Sequence, residues 1–146
     1  MNRPDQTTEL FRKGFNCAQA VFLPYADQLG MDRDTALKIS CPFGAGMSRA
    51  AETCGAVTGA LMAIGLRHGR CLLEDEAARE TTYALSRELM RRFRERHGSL
   101  ICRDLLGCDI GTPEGQDASR QKGAHTMICP AFVTDAARIL DGITDW

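Results

Sequence analysis

Charge of one sign is missing from this sequence. Lys and Arg total 18 against 19 Asp and Glu, a formal net charge of −1. Broad, sequence-independent nucleic-acid binding needs a basic surplus, so no nucleic-acid partner is expected. Long apolar runs are missing too. The longest weakly polar stretch, residues 56–66 (AVTGALMAIGL), is far short of the ~20 residues of a membrane span. The N-terminal MNRPDQTTEL has polar and acidic residues where a secretory signal carries an apolar stretch. No membrane insertion and a cytoplasmic location are therefore expected. Aromatics are scarce at 6%, and strand-like clusters with period-two alternation do not occur. No Cys-x-x-Cys is present, which removes the thioredoxin and zinc-ribbon patterns, and no hydrolase-like Ser-His-Asp or Cys-His spacing is seen. The Gly44-Ala45-Gly46 loop is neither a P-loop nor a dinucleotide fingerprint, because no strand precedes it. Its backbone N–H groups suit a supporting hydrogen-bond role beside a cluster's sulfurs.

What is present is helical signal along the whole chain. The pattern predicts helices over residues 5–13, stopped by Gly14, and 17–29, bent at Pro24 and stopped by Gly30. Another spans 32–40, with Asp32 as its cap. A glycine-bearing helix is expected over 48–68 and a long one over 74–97, acidic at its start and basic (RRFRERH) at its end, as the helix dipole favours. Residues 99–106 and 130–140 complete the set, the last with Pro130 in the favoured first position. Residues 108–128 read mostly as loop, with one turn around 114–121. The expected architecture is all-α, one domain over residues 1–146, in a single compact bundle of about six or seven helices.

The plentiful residue is cysteine. Seven thiols accompany only three histidines, and an odd number cannot pair completely within one chain. In a reducing compartment, clustered cysteines bind metal or perform redox chemistry more often than they staple a fold. Any single cysteine can equally pack as a small hydrophobe. Four of the seven fall near helix beginnings. Asn16 caps the helix that Cys17 begins, with Gln19 completing a capping box. Cys54 lies in the second turn of the glycine-bearing helix, Cys102 follows the Ser99 cap, and Cys129 occupies a cap position before Pro130. Unpaired N–H groups at such ends favour thiolate, the form that ligates metal and attacks disulfides. Cys41, Cys71 and Cys108 have no such setting and are expected to pack or to be incidental. Cys108, six residues after Cys102, and Cys41, 13 before Cys54, are candidate resolving partners.

Ala51, Gly55, Gly59 and Ala63 form a stripe of minimal side chains. Glycine costs about 1 kcal/mol relative to alanine inside a helix, so the stripe needs a cause. Close helix approach is the first reading; room beside Cys54 for a cofactor or second thiol is compatible with it. His68 and His97 each precede a glycine at a helix end and read as caps. His125, four residues before Cys129, is a candidate extra ligand. The Arg87–Arg96 run is broken by Glu88 and Glu95 and reads as a solvated helix end.

Several segments resemble the redox-active protein family named for its C–GCAxxG–C–C cysteine pattern. They are Gly14-Phe15-Asn16-Cys17-Ala18-Gln19-Ala20-Val21, Phe43 to Met47 leading to Cys54-Gly55-Ala56-Val57-Thr58-Gly59-Ala60, Cys102-Arg103-Asp104-Leu105-Leu106-Gly107, and Cys129 before the last helix. The resemblance covers essentially the whole chain. The family's name is written with Gly-Cys-Ala where this chain reads Thr53-Cys54-Gly55-Ala56, so Cys54 and Gly59 carry over and Thr53 does not. The resemblance implies that Cys17, Cys54, Cys102 and Cys129 are the characteristic redox cysteines. A related domain joined to multihaem proteins further implies an iron–sulfur site.

Three readings follow. The four thiols bind an iron–sulfur cluster or another thiophilic metal and pass electrons to a redox partner protein. Alternatively, two of them cycle between dithiol and disulfide, which requires Cα atoms roughly 4.4–6.8 Å apart. In the third, the chain is a metal-binding or helix-packing module without redox turnover, and the glycine stripe serves a homodimer. On this division of the cysteines, Ser at Cys41, Cys71 or Cys108 should leave the site intact. Ser at Cys17, Cys54, Cys102 or Cys129 should abolish it, and equal tolerance at all seven positions would refute the division.

Overall fold

Most helix ends lie where caps and glycines put them. In the computed structural model, which describes residues 1–146, helix α1 (Arg3–Lys13) starts from Asn2, whose side chain accepts the Asp5 N–H, and stops at left-handed Gly14. Helix α2 (Cys17–Gln28) carries the full Asn16/Gln19 capping box and runs through Pro24 without ending there. Helix α3 (Arg33–Ser40) is capped by Asp32. Helices α4 (Gly55–His68), α5 (Glu76–His97), α6 (Cys102–Leu106), α7 (Pro113–Lys122) and α8 (Cys129–Ile143) complete an all-α fold without strands. No helix is long and apolar enough to cross a membrane.

Three boundaries differ from expectation, each for a physical reason. The helix expected from residue 48 begins at Gly55, because Gly44–Ser48 forms a left-handed turn instead. The helix expected from residue 99 begins at Cys102. Thr53 and Ile101 form an isolated antiparallel bridge there, with Cys54 N donating to Leu100 O at 2.8 Å and Cys102 N to Glu52 O at 2.6 Å. Residues 113–122, expected as loop with one turn, are helical throughout. Thr112 caps Gly115, Pro113 opens the helix and left-handed Gly123 closes it. A π-helical turn, Ala124–Ile128, then leads directly into α8.

The central contact is α2 against α4. Along α2, Ala18, Ala20 and Val21 through Ala26 are buried; along α4, Ala56, Val57, Ala60, Ala63 and Ile64 are fully buried. The glycine stripe makes this approach possible. A Cβ on Gly55 would overlap the Cys17 sulfur, and one on Gly59 would lie 2.6 Å from Ala18 O. The stripe is thus covered by α2 of the same chain, which removes it as a surface for a second copy. Around this pair, α1 and α3 pack on α2, α5 covers α4, and α8 lies against α1, α5, α4 and α2. Tyr25 closes the base: its hydroxyl donates to Ala137 O at 3.0 Å and its ring lies 4.5 Å from that of Trp146.

Both helix-end histidines are used locally. His68 Nε2 is 2.8 Å from Thr144 Oγ1. His97 Nε2 is 2.9 Å from Asp135 Oδ2, although off the line of a good hydrogen bond, and its ring packs on Phe93 and Phe132. The basic end of α5 is mostly the solvated surface expected, with Arg91 and Arg92 paired to Glu88. Arg96 instead reaches the buried Asp135 on α8, at 2.8 Å.

Two glycines of α4 should respond oppositely to alanine. Gly59→Ala drives a methyl into the α2 backbone and should destabilise by about 1–3 kcal/mol. Gly65 has nothing within 4 Å of its ideal Cβ, so Gly65→Ala should stabilise by up to about 1 kcal/mol through helix propensity. Urea-unfolding midpoints of the two variants check the contrast.

Candidate functional site: a four-thiol pocket

All four cysteines singled out by their helix positions line one pocket of about 140 Å3. That is several times the space one water occupies. Cys17, Cys102 and Cys129 are each the first residue of a helix, and Cys54 is the cap of α4 rather than a second-turn residue. Four separate helix starts therefore converge. Phe11, Leu105, Leu106, Ile110 and Phe132 supply most of the apolar wall, and Ala45 and Gly46 of the left-handed turn complete it. Gly46 is required there, since a Cβ would lie 2.7 Å from that of Cys102 and 2.8 Å from Ala51 Cα.

Nearby backbone N–H groups of Ala45, Cys17 itself, Ala18 and Gly55 favour the thiolate of Cys17. They come from the starts of α2 and α4 and from the left-handed turn. Cys54 has the Ala56 N–H. Helix starts ordinarily lower a thiol pKa, yet here burial outweighs them. Desolvation raises Cys17, and raises Cys54 well above its ordinary value, with negative charge on Cys17, Cys102 and Cys129 adding to the effect at Cys54. Burial, reinforced by Cys17, pushes Cys102 to about 11 and Cys129 to about 12. Empty of cations, the pocket thus holds neutral thiols, and each thiolate formed opposes the next.

The remaining cysteines divide. Cys41 and Cys71 are exposed and do not line the pocket. Cys108 does not line it either, but it is half-buried and its charge bears on both Cys102 and Cys129. This thiol lies near Cys102 and Cys129, on the turn that ends α6 at Gly107, with its sulfur 3.7 Å from Leu106 O; the six-residue spacing from Cys102 was its sequence signal. His125 lines the pocket with its ring 4.4 Å from that of Phe11. Sequence reasoning missed Phe11, Ile110, Ser119 and Phe132, which carry no chemical signature and enter the pocket only through packing. All seven thiols are free, and no three His, Cys, Asp or Glu side chains are close enough together to hold a single metal ion.

Comparison with known proteins gives one family. No curated protein and no solved structure matches the chain. A family model does, over residues 15–143, a span containing all four pocket cysteines, the left-handed turn and the glycines that admit α2. The match extends over most of the chain, and on that ground the protein belongs to the family described as "Putative redox-active protein (C_GCAxxG_C_C)".

Proposed function

We propose that this redox-family protein transfers electrons by means of an iron–sulfur cluster held by Cys17, Cys54, Cys102 and Cys129. The observation that carries this reading is the convergence of these four thiols, from four helix starts, on one apolar pocket. When bound, the cluster supplies a one-electron couple whose potential follows its hydrogen bonds and exposure.

The donor set fits such an occupant. A single tetrahedral ion with metal–sulfur bonds of about 2.3 Å needs sulfurs roughly 3.8 Å apart, and these residues are not drawn in so tightly. Cluster ligands attach to different irons and stand farther apart. The thiols are poor nucleophiles while protonated, which disfavours disulfide exchange at neutral pH. A thiophilic cation displaces those protons outright. The N–H groups around Cys17 favour its thiolate, and the apolar wall limits water.

Anaerobic purification with iron and sulfide analysis tests the reading. The expected result is a coloured protein with iron and sulfide in equal amounts and a visible band bleached by reductant. Ser at any of the four cysteines should remove most of the iron, whereas Ser at Cys41 or Cys71 should not. A colourless, iron-free protein with one reversible disulfide would overturn the cluster and support the dithiol couple.

The raised thiols also set the pH dependence. Ligation must release their protons, so affinity for a thiophilic ion such as Cd2+ should rise with pH from about 6 to about 8. In the metal-free protein the folded thiols keep protons that the unfolded chain loses above about 8.5. Folding stability should therefore fall as pH climbs from there towards 11 and 12. Urea midpoints across that range measure it, and the fall should be shallower in a Cys102→Ser/Cys129→Ser variant.

A further inference from the structure

Helix α5 is the longest in the molecule, 22 residues or about 33 Å, yet only Leu89 and Phe93 along it are buried. Its inner stripe meets α4 and α8. On the opposite side Ala77, Glu80, Ala84, Arg87, Arg91 and Arg94 recur at alternating steps of three and four, which sets them on one face. All six are exposed. Tyr83 stands beside them, 53% exposed, and Leu72 and Leu73 of the preceding loop are 58% and 82% exposed. An aromatic ring and two leucines in water form an apolar surface that the single chain leaves uncovered. None of these residues lines the thiol pocket.

The charge of this face is ordered along the helix. Its beginning is acidic, with Glu74, Glu76 and Glu80, and its end is basic, with Arg87, Arg91 and Arg94. Arg91 is paired within the chain, to Glu88 and Glu95, both at 2.8 Å. Glu80 reaches only the adjacent Arg79, at 3.4 Å, and Glu76, Arg87 and Arg94 make no ion pair within the chain. A face that is acidic at one end and basic at the other is complementary to itself when a second copy lies on it head to tail. A two-fold axis then repeats every contact. A parallel arrangement would instead set like charges and like helix ends together.

We infer that the outer face of α5 is an interface with a second copy of this chain, the two helices antiparallel about a two-fold axis between Tyr83 and Ala84. In that register Tyr83 packs over Ala84 of the second copy, whose methyl leaves room for the ring. One helical turn out, Glu80 faces Arg87 of the second copy; two turns out, Glu76 faces Arg91. Beyond them, Arg94 of each copy comes to the Leu72–Leu73 loop of the other, where its aliphatic stem covers leucine. The interface is one helix wide, so the dimer is weak and depends on Tyr83 and the two symmetry-related Glu80–Arg87 pairs. Neither thiol pocket takes part, and the dimer does not rest on the cluster reading.

Sedimentation velocity of the full-length protein tests it, with a thiol reductant present so that exposed Cys41 and Cys71 do not cross-link. Between about 2 and about 200 μM in about 50 mM NaCl, the wild type should pass from monomer to dimer. Raising NaCl to about 500 mM should increase the dissociation constant several-fold. Glu80→Arg and Arg87→Glu each bring like charges together at two places, and each should weaken the dimer by at least about tenfold. Combining both substitutions in one chain should restore the dissociation constant to within about threefold of wild type. An equimolar mixture of the two single variants should form a heterodimer, because both facing pairs are then opposite in sign. Tyr83→Ala should weaken association by about tenfold. A wild type that stays monomeric throughout, or a dimer that tolerates both charge reversals, would overturn the interface. Loss in both single variants with recovery in neither the double variant nor the mixture would overturn it equally, since the Glu80–Arg87 register would then be absent.

Discussion

The close approach of α2 and α4 is the constraint on which the rest of the molecule depends. With no side chain at Gly55 and Gly59, α4 meets α2 backbone to backbone, and the start of α2 comes to lie against the start of α4. That single contact sets the Cys17 sulfur against Gly55, the residue after Cys54. It also explains the composition of the core. Ala18, Ala20, Ala56, Ala60 and Ala63 are fully buried there, because larger side chains would separate the helices. Glycine weakens a helix locally, and the packing it permits outweighs that loss.

Around this contact, electrostatics and strain oppose the arrangement they serve. Helix starts offer partial positive charge, which favours thiolate, yet burial raises all four thiols above their ordinary range. The left-handed turn adds roughly 1–2 kcal/mol for each of its L-residues, together a large share of a domain's usual net stability.

Which cysteines begin helices was legible because it rests on local chemistry. Asn16 with Gln19 announces the start of α2, and Pro130 announces that of α8, so Cys17 and Cys129 could be placed without any tertiary information. Cys54 and Cys102 were placed less well. Thr53 and Ile101 pair across the chain and shift both helix starts, an effect no local window contains. The left-handed turn was illegible for the same reason. Ala45, Met47, Ser48 and Arg49 have ordinary right-handed preferences, and bonds from Asn16 and Thr58 to the segment before the turn, from Ser48 to Pro42 O and from Glu52 to Gly46 O, with the fit of Gly46 against Cys102, accompany the opposite hand. Helix α7 is a different case: Thr112, Pro113 and Gly123 mark its ends plainly, but the glycines around it masked the signal.

By itself, then, the sequence determined the helical class, the caps and which cysteines begin helices, because those follow from side chains and backbone within a few residues. Tertiary structure decided that the four beginnings meet, that Cys108 lies beside them while Cys41 and Cys71 do not, and that the glycine stripe faces α2 rather than a second copy. These are outcomes of packing between segments tens of residues apart. Burial depth and thiol acidity belong to the same group, since both depend on what the rest of the chain excludes from the pocket.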